Sequence, residues 1–300
     1  MSLPHFFIEQ TIAGQPGDTV VLALSADVCD HMRSLRLRTG ERVVLADAPR
    51  HGWELELTAM PDKKERSVEG VLVRELLGAP RPAVTLVQGI SAADRMDQTI
   101  RQVTELGVSR VIPLESERST VRLTAASRGA KHERWQRVAR GAAEQSGQLE
   151  LPLIEPPVEL ATALEMLSGY DTLLFFWEEP GGRSLAQALS GALADCAGAR
   201  HSGLVPESIK TRHFALAAES SGEGQPSSPS SRLRVAVFVG PEGGFSADEA
   251  ALIEAAGAQT VTLGDTILRT ETAAVVACAL TLYELGALGA AVANGAPHAL

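Results

Sequence analysis

Cysteine is scarce in this 300-residue chain, and its three copies, Cys29, Cys196 and Cys278, are far apart and odd in number. They make neither a disulfide framework nor a C-x-x-C metal pair. The seven histidines are scattered, so a metal hydrolase has no ligand cluster and no metal is expected. No stretch reaches the roughly 18 uninterrupted apolar residues of a membrane span. The opening MSLPHFFIEQ lacks a basic segment followed by an apolar one, so no secretory signal is expected and the chain reads as cytoplasmic. Positive charge is also in deficit: 27 Lys and Arg face 37 Asp and Glu, a net charge of -10. That excludes bulk, non-specific nucleic-acid binding, though not a local basic face. There is no G-x-G-x-x-G followed by an acidic residue at the dinucleotide distance, which disfavours a Rossmann-type oxidoreductase. There is no G-x-x-x-x-G-K-[ST] for a nucleoside triphosphate, and no internal repeat.

What is present divides in two. Up to about residue 78 the runs TVVLAL, RVVLAD, WELELTAM and SVEGVLVREL are short and β-prone, separated by Gly, Asp and Pro turns. GAPRPA (78–83) reads as a linker. From Val84 strands and helices alternate: TLVQGI, a helix over 94–106, VSRVIPL, a helix around 131–147, a helical stretch near 158–168, TLLFFW, and a helix from about 183. RVAVFVG, a helix from Ala247, QTVTLG and a final helix from Thr272 complete the series. Such alternation implies an α/β domain with a mostly parallel sheet covered on both faces. Between 198 and 232 Gly, Ser and Pro dominate, and this segment reads as a disordered surface insertion. The predicted domains are therefore 1–78 and 79–300.

Two stretches could carry chemistry. In VFVGPEGGFSADE (237–249) a buried strand ends at Gly240, two more glycines follow, and Ser246 with Glu249 fits a capping box. LGDTILRTETAA (263–274) repeats the arrangement one βα unit later and puts Arg269 and Glu271 at a helix start. Two such loops at the carboxyl ends of nearby strands make one crevice, whose exposed backbone groups could read an adenine edge. A third stretch, HMRSLRLRTGER, holds Arg33, Arg36, Arg38 and Arg42 against one glutamate. It is either a solvated strand or turn edge, or an RNA-facing surface.

GPEGG followed by LGxxILRTETA resembles the C-terminal half of the RsmE family, the 16S ribosomal RNA (uracil-N3) methyltransferases of the SPOUT superfamily. ELGVSRVIPLESERS (105–119), the segment from Trp135 to AAEQSG (142–147) and GGFSADE are similar to further segments of that family. LPHFF and LRLRTGERVVLAD resemble its small PUA-like RNA-binding domain. The resemblance implies a SPOUT-type parallel sheet with a C-terminal trefoil knot, an exception to the rule that chains do not thread loops. It implies S-adenosylmethionine bound in the knot, a homodimer, and methylation of N3 of a decoding-region uridine (position 1498 in the usual rRNA numbering) in 16S rRNA of the 30S subunit.

Carried onto this chain, the cofactor-binding residues are Phe176, Glu178, Gly240, Pro241, Glu242, Gly243, Gly244, Leu263, Gly264, Ile267, Leu268 and Thr270. Glu242 is expected to shape its loop as a hydrogen-bond acceptor. Arg269 is suited to stabilise negative charge on a uracil oxygen. Glu271 is either an acid/base group or a helix-dipole partner. RNA contacts fall to His31, Arg33, Arg36, Arg38 and Arg118. The chain departs from the family where His5, Ala92, Gln102 and Gln148 stand at usually basic positions, and where His31 to Arg36 is one residue short. Each departure removes or displaces an RNA-side contact, so a catalytically silent rRNA-binding or ribosome-assembly factor is the alternative.

Overall fold

In the first part of the chain, alternation of buried and exposed side chains builds a sheet with one wet face. The computed structural model describes residues 3–60, 66–177, 182–191 and 232–288. Strands β1 (His5–Phe7), β2 (Thr19–Ala23), β3 (Arg42–Ala48), β4 (His51–Ala59) and β5 (Ser67–Leu77) form a sheet in the order β1-β3-β4-β5-β2. In β5, Val68 and Leu72 turn inward while Glu69 turns out, the two-residue period of a half-buried strand, until a bulge before Arg74 breaks it. The inward set packs around Phe6, Leu45, Trp53 and Leu55.

Helix α1 (Ala26–Ser34) closes this core and was not expected; only its last four residues fall in the arginine-rich stretch read as a strand or turn edge or an RNA-facing surface. Ser25 accepts a hydrogen bond from the Val28 amide at 3.4 Å as N-cap. Val28, Cys29 and Met32 give a narrow buried stripe under an otherwise polar helix. Strand β1, read only as part of a small β-rich domain, lies parallel to β3.

The second sheet holds β6 (Ala83–Gly89), β7 (Arg110–Leu114), β8 (Leu153–Ile154), β9 (Thr172–Phe176), β10 (Arg234–Val239) and β11 (Gln259–Val261). Its order is β11-β9-β10-β6-β7-β8, and every pairing is parallel. The connections run through α2 (Ala93–Leu106), α3 (Ala125–Ser146), α4 (Leu160–Met166), α5 (residues 185–191), α6 (Ala247–Ala255) and α7 (Thr270–Glu284). Both faces are covered, so the strands read as nearly continuous apolar runs. Val84, Leu86, Val235 and Val237 face α2 and α7, whereas Val87, Ala236 and Phe238 face the α4 and α6 side. Helix α3 starts six residues earlier than the apolar pattern indicated, because Thr124 and Ser127 form a capping box. The glycine at its other end, Gly147, has φ +69 and stops it.

The AAEQSG segment joins the two sheets. Ala143 packs against Phe7 and Ala46, and Glu144 meets His31 Nδ1 at 3.3 Å. Burial pushes the Glu144 carboxyl up, against the pull of His31 and Arg140. Cys29 and Cys278 are buried free thiols, with burial pushing Cys278 up to about 12; Cys196 lies outside the described residues. So does the expected insertion at 198–232, except Arg232. No described helix is long and apolar enough to cross a membrane.

One polar cluster ties the first sheet across three strands. Asp47, fully buried, accepts from the Ile12 amide at 2.7 Å and pairs with His51 Nδ1, while His51 Nε2 meets Glu75 at 3.0 Å. Burial alone lowers the imidazole, but bonds to Asp47 and Glu75 raise it above its ordinary value. A raised folded value means that stabilisation is complete below about pH 6.5 and is lost as pH climbs through the higher folded value. His51→Gln should therefore cost more stability at pH 6 than at pH 8.5 in urea unfolding. A cost independent of pH would show that the imidazole carries no charge in this pairing.

Candidate active site

The carboxyl ends of β6, β9 and β10 meet at one edge of the second sheet, where open α/β sheets place ligands. The approach is close. A Cβ on Gly89, at the end of β6, would lie 2.3 Å from Pro241 Cδ, so only glycine lets the loop after β10 cross here. A Cβ on Gly243 would lie 2.8 Å from the Arg118 carbonyl oxygen. Gly244 takes φ +67 to complete the turn.

Two carboxylates fasten this loop. The expected capping box is present: Ser246 accepts from the Glu249 amide at 3.2 Å, and Glu249 accepts from the Ser246 amide at 2.9 Å. Glu249 also reaches further, accepting from Ser116 Oγ at 3.0 Å and the Glu117 amide at 2.9 Å. Glu242 accepts from the Ala92 amide at 3.0 Å and from Arg95 at 2.8 Å, capping α2 from outside the helix. Burial alone would raise the Glu242 carboxyl, but the Ala92 bond and Arg95 bring it below its ordinary value. Glu242 thus has the acceptor geometry expected of it, with its carboxylate committed to the α2 start.

The second loop runs from Thr262 to Arg269. Gly264 has φ +105, and a Cβ there would meet nothing within 4 Å. Among the described residues the amides of 265–269 donate no hydrogen bond. Leu263 and Leu268 are half-buried, while Ile267 is 80 % exposed. Thr270 begins α7, two residues earlier than expected, and its hydroxyl donates to the Gly240 carbonyl at 2.5 Å. The two loops are therefore fixed to each other. Arg269, at the N-cap position of α7, is exposed, with no side-chain partner among the described residues. Glu271 is half-buried, with Oε2 buried and unpartnered. Phe176 ends β9 as a buried ring; Glu178 lies outside the described residues.

The structure gathers Phe176, Gly240, Pro241, Glu242, Gly243, Gly244, Leu263, Gly264, Ile267, Leu268, Arg269, Thr270 and Glu271 on the two loops and adjoining strand and helix ends, with Arg118 beside Gly243. His31, Arg33, Arg36 and Arg38 lie elsewhere, on and after α1. His31 is turned to Glu144 and Arg33 bonds Asp30 at 2.6 Å. Arg36, at φ +56, and Arg38 are exposed. Arg42 is held by Glu54 and Glu56. At the departing positions, His5 is buried and lowered by that burial to about 4, so it is neutral at pH 7. Gln148 donates to the Glu105 carbonyl. Two residues escaped the sequence reading: Ser116, and Gln88, which is fully buried and bonds both loops. A signal for Gln88 existed, since Val84, Leu86 and Gln88 share one strand face and a polar residue ends an apolar row.

Residues 79–205 and 201–282 match the RNA methyltransferase domain family. Among the relatives named ribosomal RNA small subunit methyltransferase E, that of Aquifex aeolicus is 31% identical over 217 residues, 71% of this chain and 74% of that protein. That of Bacillus subtilis is 24% identical over 286 residues, 94% of this chain and 97% of that one. A crystal structure of the Neisseria gonorrhoeae protein of that name, bound to S-adenosyl methionine, superposes with a TM-score of 0.69 at 27% identity, covering 94% of this chain and 98% of that one. The chain belongs to the RNA methyltransferase domain family and, within it, to the small-subunit rRNA methyltransferases of the RsmE family. The α/β fold with its parallel sheet is shared with those structures.

The loop's fastening is testable. Glu249→Ala removes a cap and two further bonds to the β7 loop, and should cost about 2 kcal/mol in urea unfolding. A loss below about 0.5 kcal/mol would mean that Ser116 and Glu117 find other partners.

Proposed function

We propose that this chain methylates N3 of a uridine in the decoding region of 16S rRNA, acting on the small ribosomal subunit with S-adenosylmethionine as methyl donor. The observation that carries this reading is the tied pair of loops, with open main-chain amides at 265–269 and an unpaired Arg269 at their lip. Glycine turns, unpartnered amides and the buried unpartnered Gln88 Oε1 suit an uncharged, edge-reading grip on an adenosyl group. Phe176, Leu263 and Leu268 would supply apolar walls, and Gly240 to Gly244 with Gly264 and Thr270 would hold the adenosyl moiety. Relatives bearing the rRNA methyltransferase name, and one solved with S-adenosyl methionine, support the same assignment.

When bound, S-adenosylmethionine supplies a methyl group made electrophilic by its sulfonium. Uracil N3 has no free lone pair until its N–H proton leaves, and the negative charge then spreads over O2 and O4. Arg269 is always cationic, and its forked donors suit an oxygen carrying that charge. Glu271 stands in the first turn of α7, where a carboxylate favours the helix dipole. Its buried Oε2 also leaves an acceptor for the leaving proton or for Arg269.

The wider reading has three parts. Residues 1–78 form a PUA-like RNA-binding unit, with Arg36 and Arg38 as its free cations and Arg118 continuing the contact beside the crevice. Residues 79–300 form the SPOUT domain, in which the chain after β11 threads a trefoil knot; the return of α7 onto α2, β6 and β10 supports it. Two copies pair through α7, whose Leu280 and Tyr283 are exposed.

Arg269→Ala should bind S-adenosylmethionine almost normally yet lose on the order of 10² to 10³ in single-turnover methylation of 30S subunits. Lysine should rescue only in part, since a point charge lacks the fork. Turnover near wild type would reduce Arg269 to a helix-start residue. Mapping methyl-uridine by mass spectrometry in 16S rRNA from cells lacking the protein tests the substrate, and an unchanged site would sink the assignment. Failure to bind the methyl donor in calorimetry would instead favour a silent assembly factor. Arg36→Ala with Arg38→Ala should flatten the salt dependence of subunit binding without touching donor affinity. An unchanged slope returns them to a solvated edge.

A further inference from the structure

Gln88 ends β6 with a side chain that is 0 % exposed, in a row otherwise made of Val84 and Leu86. Three acceptors crowd one end of its amide: the Gly89 carbonyl at 2.9 Å, Thr270 Oγ1 at 2.9 Å and the Gly240 carbonyl at 3.3 Å. Only an NH₂ group can face three acceptors, so chemistry sets the orientation of the amide. Thr270 gives its single hydroxyl proton to the Gly240 carbonyl, which leaves its oxygen free to accept from Gln88. The result is a closed triangle among Gln88, Gly240 and Thr270.

The other end of the amide is the opposite case. Gln88 Oε1 is buried and has no partner among the described residues. An acceptor taken out of water without a donor opposes folding. An apolar residue of similar length would avoid that cost but could not tie the loops. Each partner of the NH₂ group sits where its element enters the crevice: Gly89 before the loop after β6, Gly240 at the start of the first glycine loop, Thr270 at the end of the second.

We propose that Gln88 is the positioning residue of the crevice. Its Nε2 holds the Gly240 carbonyl and the Thr270 hydroxyl in one arrangement, and its Oε1 accepts a hydrogen bond from an N–H or O–H donor of the bound adenosyl ligand. The Thr270 hydroxyl ties α7 directly to the end of β10, and Gln88 braces both members of that bond at once. It does so from β6, the strand beside β10. The inference rests on the S-adenosylmethionine reading above.

The test is calorimetric titration of the full chain with S-adenosylmethionine, at a temperature where circular dichroism shows each variant folded. Gln88→Met, close in length and without an amide, should weaken binding tenfold or more while leaving the KM for 30S subunits unchanged. Thr270→Val should weaken binding too, whereas Thr270→Ser, which keeps the hydroxyl, should stay within twofold of wild type. Gln88→Met combined with Thr270→Val should be little worse than the poorer single change, because both break one triangle. Binding by Gln88→Met within twofold of wild type overturns the proposal, as does full multiplication of the two single effects. If Gln88→Met does not fold, the threonine pair decides: equal losses for Val and Ser overturn it. A wild-type chain that takes up no S-adenosylmethionine fails the functional reading first, and this inference with it.

Discussion

Strand β10 lies between β6 and β9, although 144 residues separate the end of β6 from the start of β10. The rest of the second sheet depends on that placement. Six consecutive residues of β10 pair with Ala83 to Gln88 on one side, and five pair with β9 on the other. This brings the loop leaving β10 across the end of β6, where the missing side chain of Gly89 makes room for Pro241. The last helix then returns over the same edge, and Thr270 is held to Gly240. Without the central strand there would be two glycine turns but no crevice between them.

Elements whose signal is local were legible from the residues alone. The Val, Ile and Leu runs of β6, β7, β9 and β10, the Ser246 cap and the glycine-marked loops lie close to where periodicity and turn chemistry put them. What was not legible depends on distant partners or on few residues. Helix α1 shows three buried positions among polar ones, too short a stripe to stand out beside the arginine-rich stretch it runs into. Strands β1 and β8 have three and two residues, and only their neighbours make them strands. Glu249 announced a capping box, but its hold on Ser116 and Glu117 crosses more than 130 positions. Gln88 looked like one polar residue at a strand end.

Charge follows a related logic. Arg42, Arg74, Arg95, Arg110, Arg128 and Arg134 are matched to carboxylates, so counting cations overstates the positive surface. Exposed pairs of this kind add little stability, yet they remove arginines from the field that RNA would meet. Arg36, Arg38, Arg118 and Arg269 have no such partner among the described residues, and they are spread over both sheets. A net-negative protein with a few separated cations holds weakly to random polyanions. On the proposed reading, firm binding needs several points matched at once, which a folded subunit offers and a loose strand does not.

The crevice divides its work between backbone and side chains in an unusual proportion. Its two most prominent acids are committed to shape: Glu242 caps α2 and Glu249 fastens the β7 loop. Both oxygens of Glu249 accept hydrogen bonds, and Glu242 Oε1 takes two, so protonating either at those oxygens would release a helix or a loop. On the proposed reading, methylation of a uracil nitrogen would put the developing charge on oxygen, where Arg269 could meet it, and would leave the proton to another acceptor such as Glu271 Oε2. A positive site of that kind must not be neutralised by its own protein. Among the described residues Arg269 stands without a partner at the lip while Arg95, Arg110 and Arg128 are matched, and the acids nearest the first loop are turned away into helix caps. The same arrangement that fixes the loops therefore leaves Arg269 available.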